Sequence, residues 1–441
     1  MPRPPQPCRR RDMIVDVKPS RVEGVVEAPP SKSYTHRAVA LASLSEGKSI
    51  VRKPLISRDT QATINASTML GVEIKHQHCF LEIKGVSRFR CPDNVVDVMN
   101  SGTTLRIYTG LSAHVEEGYA VLTGDESIRR RPVGPLLNSL RDLGVECWST
   151  RGTGTAPVVV KGGGVEGGQT SIKGSESSQY VTSLLMTGLR ARREVSVTIE
   201  DELVSKPYVE ATVKMIQVFG GKVDAKGFRR FTVNPQTLHA ADFTVPGDFS
   251  SAAFIIAAAH LTGSRVTVEN LDALMPQADS AILHIAETLG SKVTVESGWV
   301  EVEGGLRNVD VEFKLTDSPD LLPVAAAMAV LNDGVVRLYG VAHARLKESD
   351  RISTVATELR KLGVSVKEEP DGLVVEGGGN VDGGVVLDSH GDHRLFMAFT
   401  ALGLALDKGL KVSGVESADV SYPGFLEDLK KLGARISLKD G

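Results

Sequence analysis

Six times along this 441-residue chain an apolar run closes on Leu-Gly or Phe-Gly and leads into a short alternating segment. The signature reads STMLGVEI, LRDLGVEC, IQVFGGKV, AETLGSKV, LRKLGVSV and LKKLGARI, with its glycine at 71, 144, 220, 290, 363 and 433. The intervals are 73, 76, 70, 73 and 70 residues. A glycine just past the last apolar position ends a helix, because without a Cβ it reaches φ > 0 at no steric cost. Such regularity points to equivalent structural units before any other reading is considered.

Other elements keep the same phase. Some 24 to 29 residues before each glycine stands an alternating segment: SIVRKPL, YAVLTGD, VSVTIED, RVTVENL, VVRLYGV and LKVSGV. Alternation marks a half-buried strand. Each is preceded by a helix that is apolar nearly all round, RAVALASL, TLRIYTGL, YVTSLLMTGL, AAFIIAAAHL, LLPVAAAMAVL and HRLFMAFTALGLAL, and so is expected to be buried on every side. The helices ending in Leu-Gly differ. ISTVATELRKLG carries one apolar stripe at 352, 355, 356, 359 and 362 with a charged back, which suits a surface. A last strand often ends in a glycine turn, as in VEVEGG and LVVEGGG.

The fold class expected is therefore α/β: two lobes, each of three βαβαββ units, with buried helices and an interdomain cleft. The sixth unit lacks its last strand, and the N-terminal pair MIVDVKP and GVVEAPP is expected to complete it. Residues 13–30 plus 247–441 then form one lobe and 31–246 the other, with hinges near 29–32 and 245–248 at Pro29-Pro30 and Pro246-Gly247. Residues 1–12, rich in Pro and Arg, are expected to be a disordered extension upstream of a start at Met13. A long solenoid would need terminal units with polar outer faces, and none is evident.

Composition narrows the class of function. Lys plus Arg (51) and Asp plus Glu (54) nearly balance, so a general nucleic-acid binder is not indicated. Cys8, Cys79, Cys91 and Cys147 form no CxxC pair and no zinc-like spacing, which reads as free thiols in a reducing cytoplasm. No apolar run reaches the roughly 18 residues of a membrane span. No GxxxxGK[ST], strand-linked GxGxxG or GxSxG is present.

Charge collects at the starts of the buried helices: SKSYTHR (31–37), NSGTTLR (100–106), SSQY (177–180), DFSS (248–251), DSPD (317–320) and GDHR (391–394). Ser, Asn and Asp cap helices almost anywhere, and that suffices for Ser250, Ser251 and Ser318. It does not account for Lys32, Arg37, Arg106 and Arg394, because a cation at a helix N-terminus costs about 0.3–1 kcal/mol. Helix start plus Lys or Arg makes an anion site. The loops before the other helices repeat the pattern with Arg129, Arg130, Arg131, Lys206, Arg345, Lys347 and Arg351, and Pro132, Pro207 and Pro423 suit first helical positions there. If both lobes aim these ends at one cleft, it suits small polyanions. Asp320 and Glu348 are candidates for proton transfer. His393, beside Asp392, is either a proton shuttle or a hydrogen-bonded cap.

PPSKSYTHRAVALASL, NSGTTLR, RRRPVGPLLNSLRDLG, SSQYVTSLLM, LVSKPY, LKESDRISTVATELRKLG and GDHRLFMA together resemble the signature segments of the 5-enolpyruvylshikimate-3-phosphate synthase family, from about Val25 to the C-terminus. The resemblance implies enolpyruvyl transfer from phosphoenolpyruvate to the 5-hydroxyl of shikimate 3-phosphate, in the shikimate pathway toward chorismate and aromatic amino acids. It implies no metal or organic cofactor, no nucleic-acid or membrane partner, and a monomer. By the same resemblance Lys32, Ser33, Arg37, Ser177, Ser178, Gln179, Ser205, Tyr208, Asp320, His343 and Lys347 hold shikimate 3-phosphate. Lys32, Asn100, Gly102, Thr103, Arg131, Gln179, Glu348, Arg351 and Arg394 hold phosphoenolpyruvate. Asp320 orients or deprotonates the attacking hydroxyl, Glu348 protonates the methylene carbon, Lys347 and Lys32 stabilise developing charge, and His393 is a further catalytic candidate.

Two positions depart from the commoner pattern. Val420 stands where many members carry a lysine toward phosphoenolpyruvate, and His343 where an Asn or acidic residue toward the shikimate ligand is common. Weaker phosphoenolpyruvate binding is expected from the first. The rival UDP-N-acetylglucosamine enolpyruvyl transferases resemble the chain in plan but usually carry a Cys in the loop that here reads TGDESIRRRPVG. A non-catalytic binding protein of the same fold is the other alternative.

Overall fold

A computed structural model of the chain describes residues 13–272 and 275–440. The expectation about residues 1–12 lies outside the described residues. All six repeat glycines take positive φ, from 80° at Gly220 and Gly363 to 115° at Gly290, and each follows a helix. Among the described residues twelve α-helices alternate in kind. The odd-numbered ones are α1 (Lys32–Leu44), α3 (Gly102–Leu111), α5 (Ser178–Gly188), α7 (Phe249–Thr262), α9 (Leu322–Ala329) and α11 (His393–Gly403). The even-numbered ones are α2 (Arg58–Met69), α4 (Gly134–Asp142), α6 (Lys206–Val218), α8 (Ala281–Thr288), α10 (Arg351–Arg360) and α12 (Phe425–Lys431).

The odd-numbered helices are the cores. Every residue of α9 and α11 is buried, and α7 is buried from Ser251 to Leu261. Helices α7, α9 and α11 pack on one another, and α3 packs on α5 and α1. Apolar contacts divide accordingly. One cluster spans Tyr34 to Val245, and the other joins Val15–Ala28 to Phe249–Ala434. We term these the first and second lobes. On α10 the stripe at Ile352, Val355, Ala356, Leu359 and Leu362 faces inward as expected, but Arg351 and Glu358 are buried beside it.

Each unit contributes a four-stranded sheet with one pattern. The leading strand runs parallel to the second, and the last two are antiparallel. Strand β1 (Met13–Lys18) fills the gap in the sixth sheet, between Leu410–Ser413 and Arg435–Asp440. The second N-terminal strand, β2 (Gly24–Glu27), does not join it. It pairs parallel to Arg265–Leu271 and leads the fourth sheet. The strand before α7, Asp242–Thr244, pairs instead with Lys48–Arg52 in the first sheet. In chain order the strands are thus exchanged: β2 precedes α1 of the first lobe but leads a sheet of the second, and Asp242–Thr244 precedes α7 of the second but leads a sheet of the first. Where the connections cross, Pro30 and Gly247 form an isolated bridge, and Ser31 N donates to Pro246 O at 2.7 Å.

Of the prolines expected at helix starts, Pro207 lies in the first turn of α6. Pro132 and Pro423 lie outside their helices. Pro135 takes the early position in α4, and Gly424 caps α12. Among the described residues Cys79, Cys91 and Cys147 are free thiols.

Candidate active site

The starts of α1, α3, α5, α6, α10 and α11 converge on one cavity between the lobes. Lys32, Ser33, Arg37, Gly102, Thr103 and Arg131 line it from the first lobe, with Ser177, Ser178, Gln179, Ser205 and Tyr208. From the second lobe come Asp320, His343, Lys347, Glu348, Arg351, His393 and Arg394. Of the residues expected to hold substrate, Asn100 alone is not among those lining the cavity. It donates to Asp125 Oδ2 at 2.5 Å and accepts from Nη2 of the lining residue Arg131 at 3.4 Å. Of the RRR run only Arg131 lines the cavity. Arg129 donates to the Gly124 carbonyl, and Arg130 pairs with Glu126 at the surface. Arg345 is tied to Asp350 and Glu368, and Lys206 to Glu202.

Arg351 is the centre of the second-lobe wall. It opens α10, whose cap Asp350 accepts from Ser353 N at 3.1 Å. Its guanidinium, 1% exposed, reaches three carboxylates: Asp392 Oδ2 at 2.8 Å through Nε, Asp320 Oδ1 at 2.6 Å through Nη1, and Glu348 Oε2 at 2.6 Å through Nη2. Asp392 also caps α11, accepting from Arg394 N at 2.9 Å. Arg394 Nη2 meets Asp320 Oδ2 at 2.9 Å, and Lys347 Nζ lies 3.7 Å from Asp320 Oδ1. In sequence Asp392 looked like an ordinary cap, and nothing local signals its second partner 41 residues away.

The first-lobe wall is built from capped helix starts. Ser101 and Ser177 cap α3 and α5, accepting from Thr104 N at 3.2 Å and Gln179 N at 3.3 Å. Gln179 accepts from Arg106 Nη1 at 2.8 Å and donates to Thr103 Oγ1 at 3.0 Å. Arg106 also lies 5.6 Å over the Tyr180 ring and lines the cavity. Arg37 lines it too, though its nitrogens already donate to Thr212 Oγ1, Ser33 O and Tyr208 O at 2.8–2.9 Å. Lys32 Nζ meets Asp59 Oδ2 at 3.1 Å. Ser205 takes a left-handed φ of 55°, a conformation costing about 1–3 kcal/mol outside glycine, and its N–H donates across the cleft to Thr316 O at 3.1 Å. Nothing in the sequence announced that backbone.

The cleft is less cationic than the sequence suggests. Seven Lys and Arg side chains line it against five Asp and Glu, because Asp59, Glu176 and Asp248 join Asp320 and Glu348. Opposite charges interleave, and Arg131 Nη2 reaches across to Glu348 Oε1 at 3.3 Å. Mutual repulsion of the lobes is therefore not built in.

These pairings set the ionisation. Burial alone would raise the Asp320 carboxyl, but Arg394, Lys347 and Arg351 hold it well below the usual carboxylate range. Against the same burial, Arg131 and Arg351 hold Glu348 well below its usual range. Burial lowers the Lys347 ammonium, only partly opposed by Asp320. Burial and then Lys347 push His343 down to about 3, and burial, Lys32 and Arg394 hold His393 well below its usual value. Both imidazoles are neutral at pH 7, and the His393 nitrogens have no hydrogen-bond partner among the described residues. Val420 is buried and is not among the cavity-lining residues. Among the described residues no group of three or more His, Cys, Asp or Glu is arranged to hold a metal ion.

Comparison with known proteins bears on the same wall. The family model for EPSP synthase (3-phosphoshikimate 1-carboxyvinyltransferase) matches residues 17–429. A 3-phosphoshikimate 1-carboxyvinyltransferase of Methanocella arvoryzae is 45% identical over 431 residues, 97% of this chain and all of that protein. One from Korarchaeum cryptofilum is 42% identical, covering 96% of this chain and 99% of its own. The solved EPSP synthase of Acinetobacter baumannii superposes with a TM-score of 0.82 at 27% identity, covering 97% of this chain and 100% of that one. A six-unit fold with its helix starts gathered on one cavity, and a family match spanning nearly its whole length, make this chain a member of the EPSP synthase (3-phosphoshikimate 1-carboxyvinyltransferase) family.

Proposed function

We propose that the chain transfers the enolpyruvyl group of phosphoenolpyruvate to the 5-hydroxyl of shikimate 3-phosphate by addition and elimination, releasing phosphate. The observation that carries this is the cluster of Arg351, Arg394, Arg131 and Lys347 around the carboxylates of Asp320 and Glu348. Fixed cations in a site shielded from water stabilise an anionic tetrahedral intermediate and departing phosphate. Asp320, held ionised, orients the attacking hydroxyl and accepts its proton as that hydroxyl becomes acidic on addition. Glu348 is ionised while Arg131 and Arg351 pair with it, and an ionised carboxylate donates no proton. Phosphoenolpyruvate supplies competing anionic oxygens for those arginines. Its binding frees Glu348 to take up the proton it delivers to the methylene carbon. Lys32 and Lys347 sit at the two walls for the phosphate groups.

The cross-cleft pair of Arg131 with Glu348 must part for two ligands to enter. Residues 29–32 and 245–248 are the proposed hinges. The working form proposed is a cytoplasmic monomer, since a single chain supplies both walls. No helix among the described residues is long and apolar enough to cross a membrane.

One coupled assay tests the reading. Phosphate release from phosphoenolpyruvate is measured with shikimate 3-phosphate, with the UDP-sugar, and with neither. Release with shikimate 3-phosphate alone is expected. Release with the UDP-sugar would select the rival transferase, and none with either acceptor would leave a binding protein.

A further inference from the structure

Asp279 carries no role in the scheme above, yet its placement is expensive. It lies in the short turn Ala278–Ser280 of the second lobe and is 1% exposed. Among the described residues no Lys or Arg forms an ion pair with it, and its Oδ1 has no hydrogen-bond partner. Burial first, and then Asp320, push its carboxyl up to about 6 against the pull of Arg394. A buried carboxyl with one unmatched oxygen is a cost that packing alone does not repay.

What Asp279 does hold is two hydroxyls of the cavity wall. Its Oδ2 accepts from Tyr208 Oη at 3.2 Å and from Ser250 Oγ. Tyr208 belongs to α6 of the first lobe, and Ser250 to the start of α7 in the second. The same loop receives a second tyrosine across the cleft, since Tyr34 Oη donates to Pro276 O at 2.9 Å. Gln277 fastens the loop to the crossing point, accepting from Phe249 N at 3.0 Å and donating to Gly247 O at 2.8 Å. The carboxyl is thus fixed from behind and faces the cavity only through the hydroxyls it orients.

We propose that Asp279 is a positioning residue for the shikimate 3-phosphate half of the site, acting across the cleft through the Tyr208 hydroxyl. The inference rests on the function proposed above. By accepting the Tyr208 proton, Asp279 fixes which way the phenol oxygen presents itself to the acceptor substrate. It also ties the acceptor-side tyrosine to the second lobe, so that the ring is in register when the lobes meet. Phosphoenolpyruvate is expected to feel the loss much less, because among the described residues Arg131, Glu348, Arg351 and Arg394 make no hydrogen bond to Asp279, and Arg394 acts on it through charge alone.

The test is steady-state kinetics of the full chain with each substrate varied. Asp279→Ala is expected to raise KM for shikimate 3-phosphate about tenfold, the scale of one lost hydrogen bond to a charged group. KM for phosphoenolpyruvate and kcat should stay within about twofold. Asp279→Asn keeps an acceptor oxygen for Tyr208 and Ser250 and should restore most of the loss, which a requirement for charge would not produce. In a Tyr208→Phe background Asp279→Ala should add less than about twofold, since contacting residues that act together are not additive. Equal rises in both KM values, full additivity with Tyr208→Phe, or failure of the Asn variant to rescue would each overturn the proposal. If the wild type itself does not turn over shikimate 3-phosphate, the fault lies with the proposed function and not with Asp279.

Discussion

Gly102 opens α3 with Arg106 and Arg131 folded over it. A Cβ built there falls 2.8 Å from Arg106 Nη1 and 2.8 Å from Arg131 Nη1. Ordinary contact begins near 3.4 Å, so in Gly102→Ala each guanidinium must retreat by about 0.6 Å. Both atoms end flexible side chains, so the fold absorbs the methyl while the site does not. The 3.3 Å approach of Arg131 to Glu348 and the 2.8 Å bond of Arg106 to Gln179 lengthen together. Losing one charge-assisted hydrogen bond to an anionic ligand costs about 1.5–3 kcal/mol. Full loss would weaken binding roughly 10- to 150-fold, and a partial retreat puts the expected rise in KM for phosphoenolpyruvate near tenfold. Shikimate 3-phosphate should be affected much less. The melting temperature should hold or rise, because alanine favours a helix over glycine by about 0.5–1 kcal/mol. Initial rates at varied phosphoenolpyruvate, paired with a thermal melt, decide the matter. An unchanged KM for phosphoenolpyruvate would refute the claim that Arg131, packed against Gly102, grips it. A clear drop in melting temperature would show that the methyl strikes something stiffer than side-chain ends.

Asp392→Ala should lower the unfolding free energy by about 3–5 kcal/mol, since it strips a buried arginine of its fully buried partner and α11 of its cap. Urea titration would show a lower midpoint, and an unmoved one would mean Asp320 and Glu348 suffice to hold Arg351. Acid should destabilise the protein through the same cluster. Asp320 and Glu348 have folded-state values held below their ordinary 3.8 and 4.5, so their stabilisation is complete above those values and lost as pH falls through the lowered ones. Thermal midpoints should be flat between about pH 6 and 8 and fall below about pH 4, with a shallower fall in Asp320→Asn. An equal fall in that variant would place the acid sensitivity elsewhere.

The repeat was legible because its signals are local. A glycine forced to positive φ at each helix end, an all-apolar helix and an alternating strand all declare themselves within a dozen residues. The cation positions were legible for a related reason, as Lys32 and Arg394 contradict the preference of a helix start. What stayed hidden depends on partners distant in sequence. Alternation marked GVVEAPP as a strand but not that it would pair 242 residues away with Arg265–Leu271. Asp392 looked like the caps found everywhere and Asp279 drew no reading of its own, and only the folded chain sets each against its partner 41 or 71 residues away. The carboxylates that temper the cleft escaped notice for the same reason, whereas basic residues stood out against helix polarity.

The strand exchange constrains how the molecule is made. During synthesis β1 and β2 emerge first, yet their partners begin at Arg265 for β2 and at Leu410 for β1. At roughly 5–20 residues per second, β1 waits on the order of 20–80 s with its hydrogen-bonding edges open. The first lobe gains its own outer strand only when Asp242–Thr244 has left the ribosome. A gene cut between the lobes would leave the C-terminal fragment without β1 and β2, which the N-terminal fragment would carry unpaired, so both would show bare edges prone to stick. Co-expressed, those fragments should find each other, and apart they should aggregate.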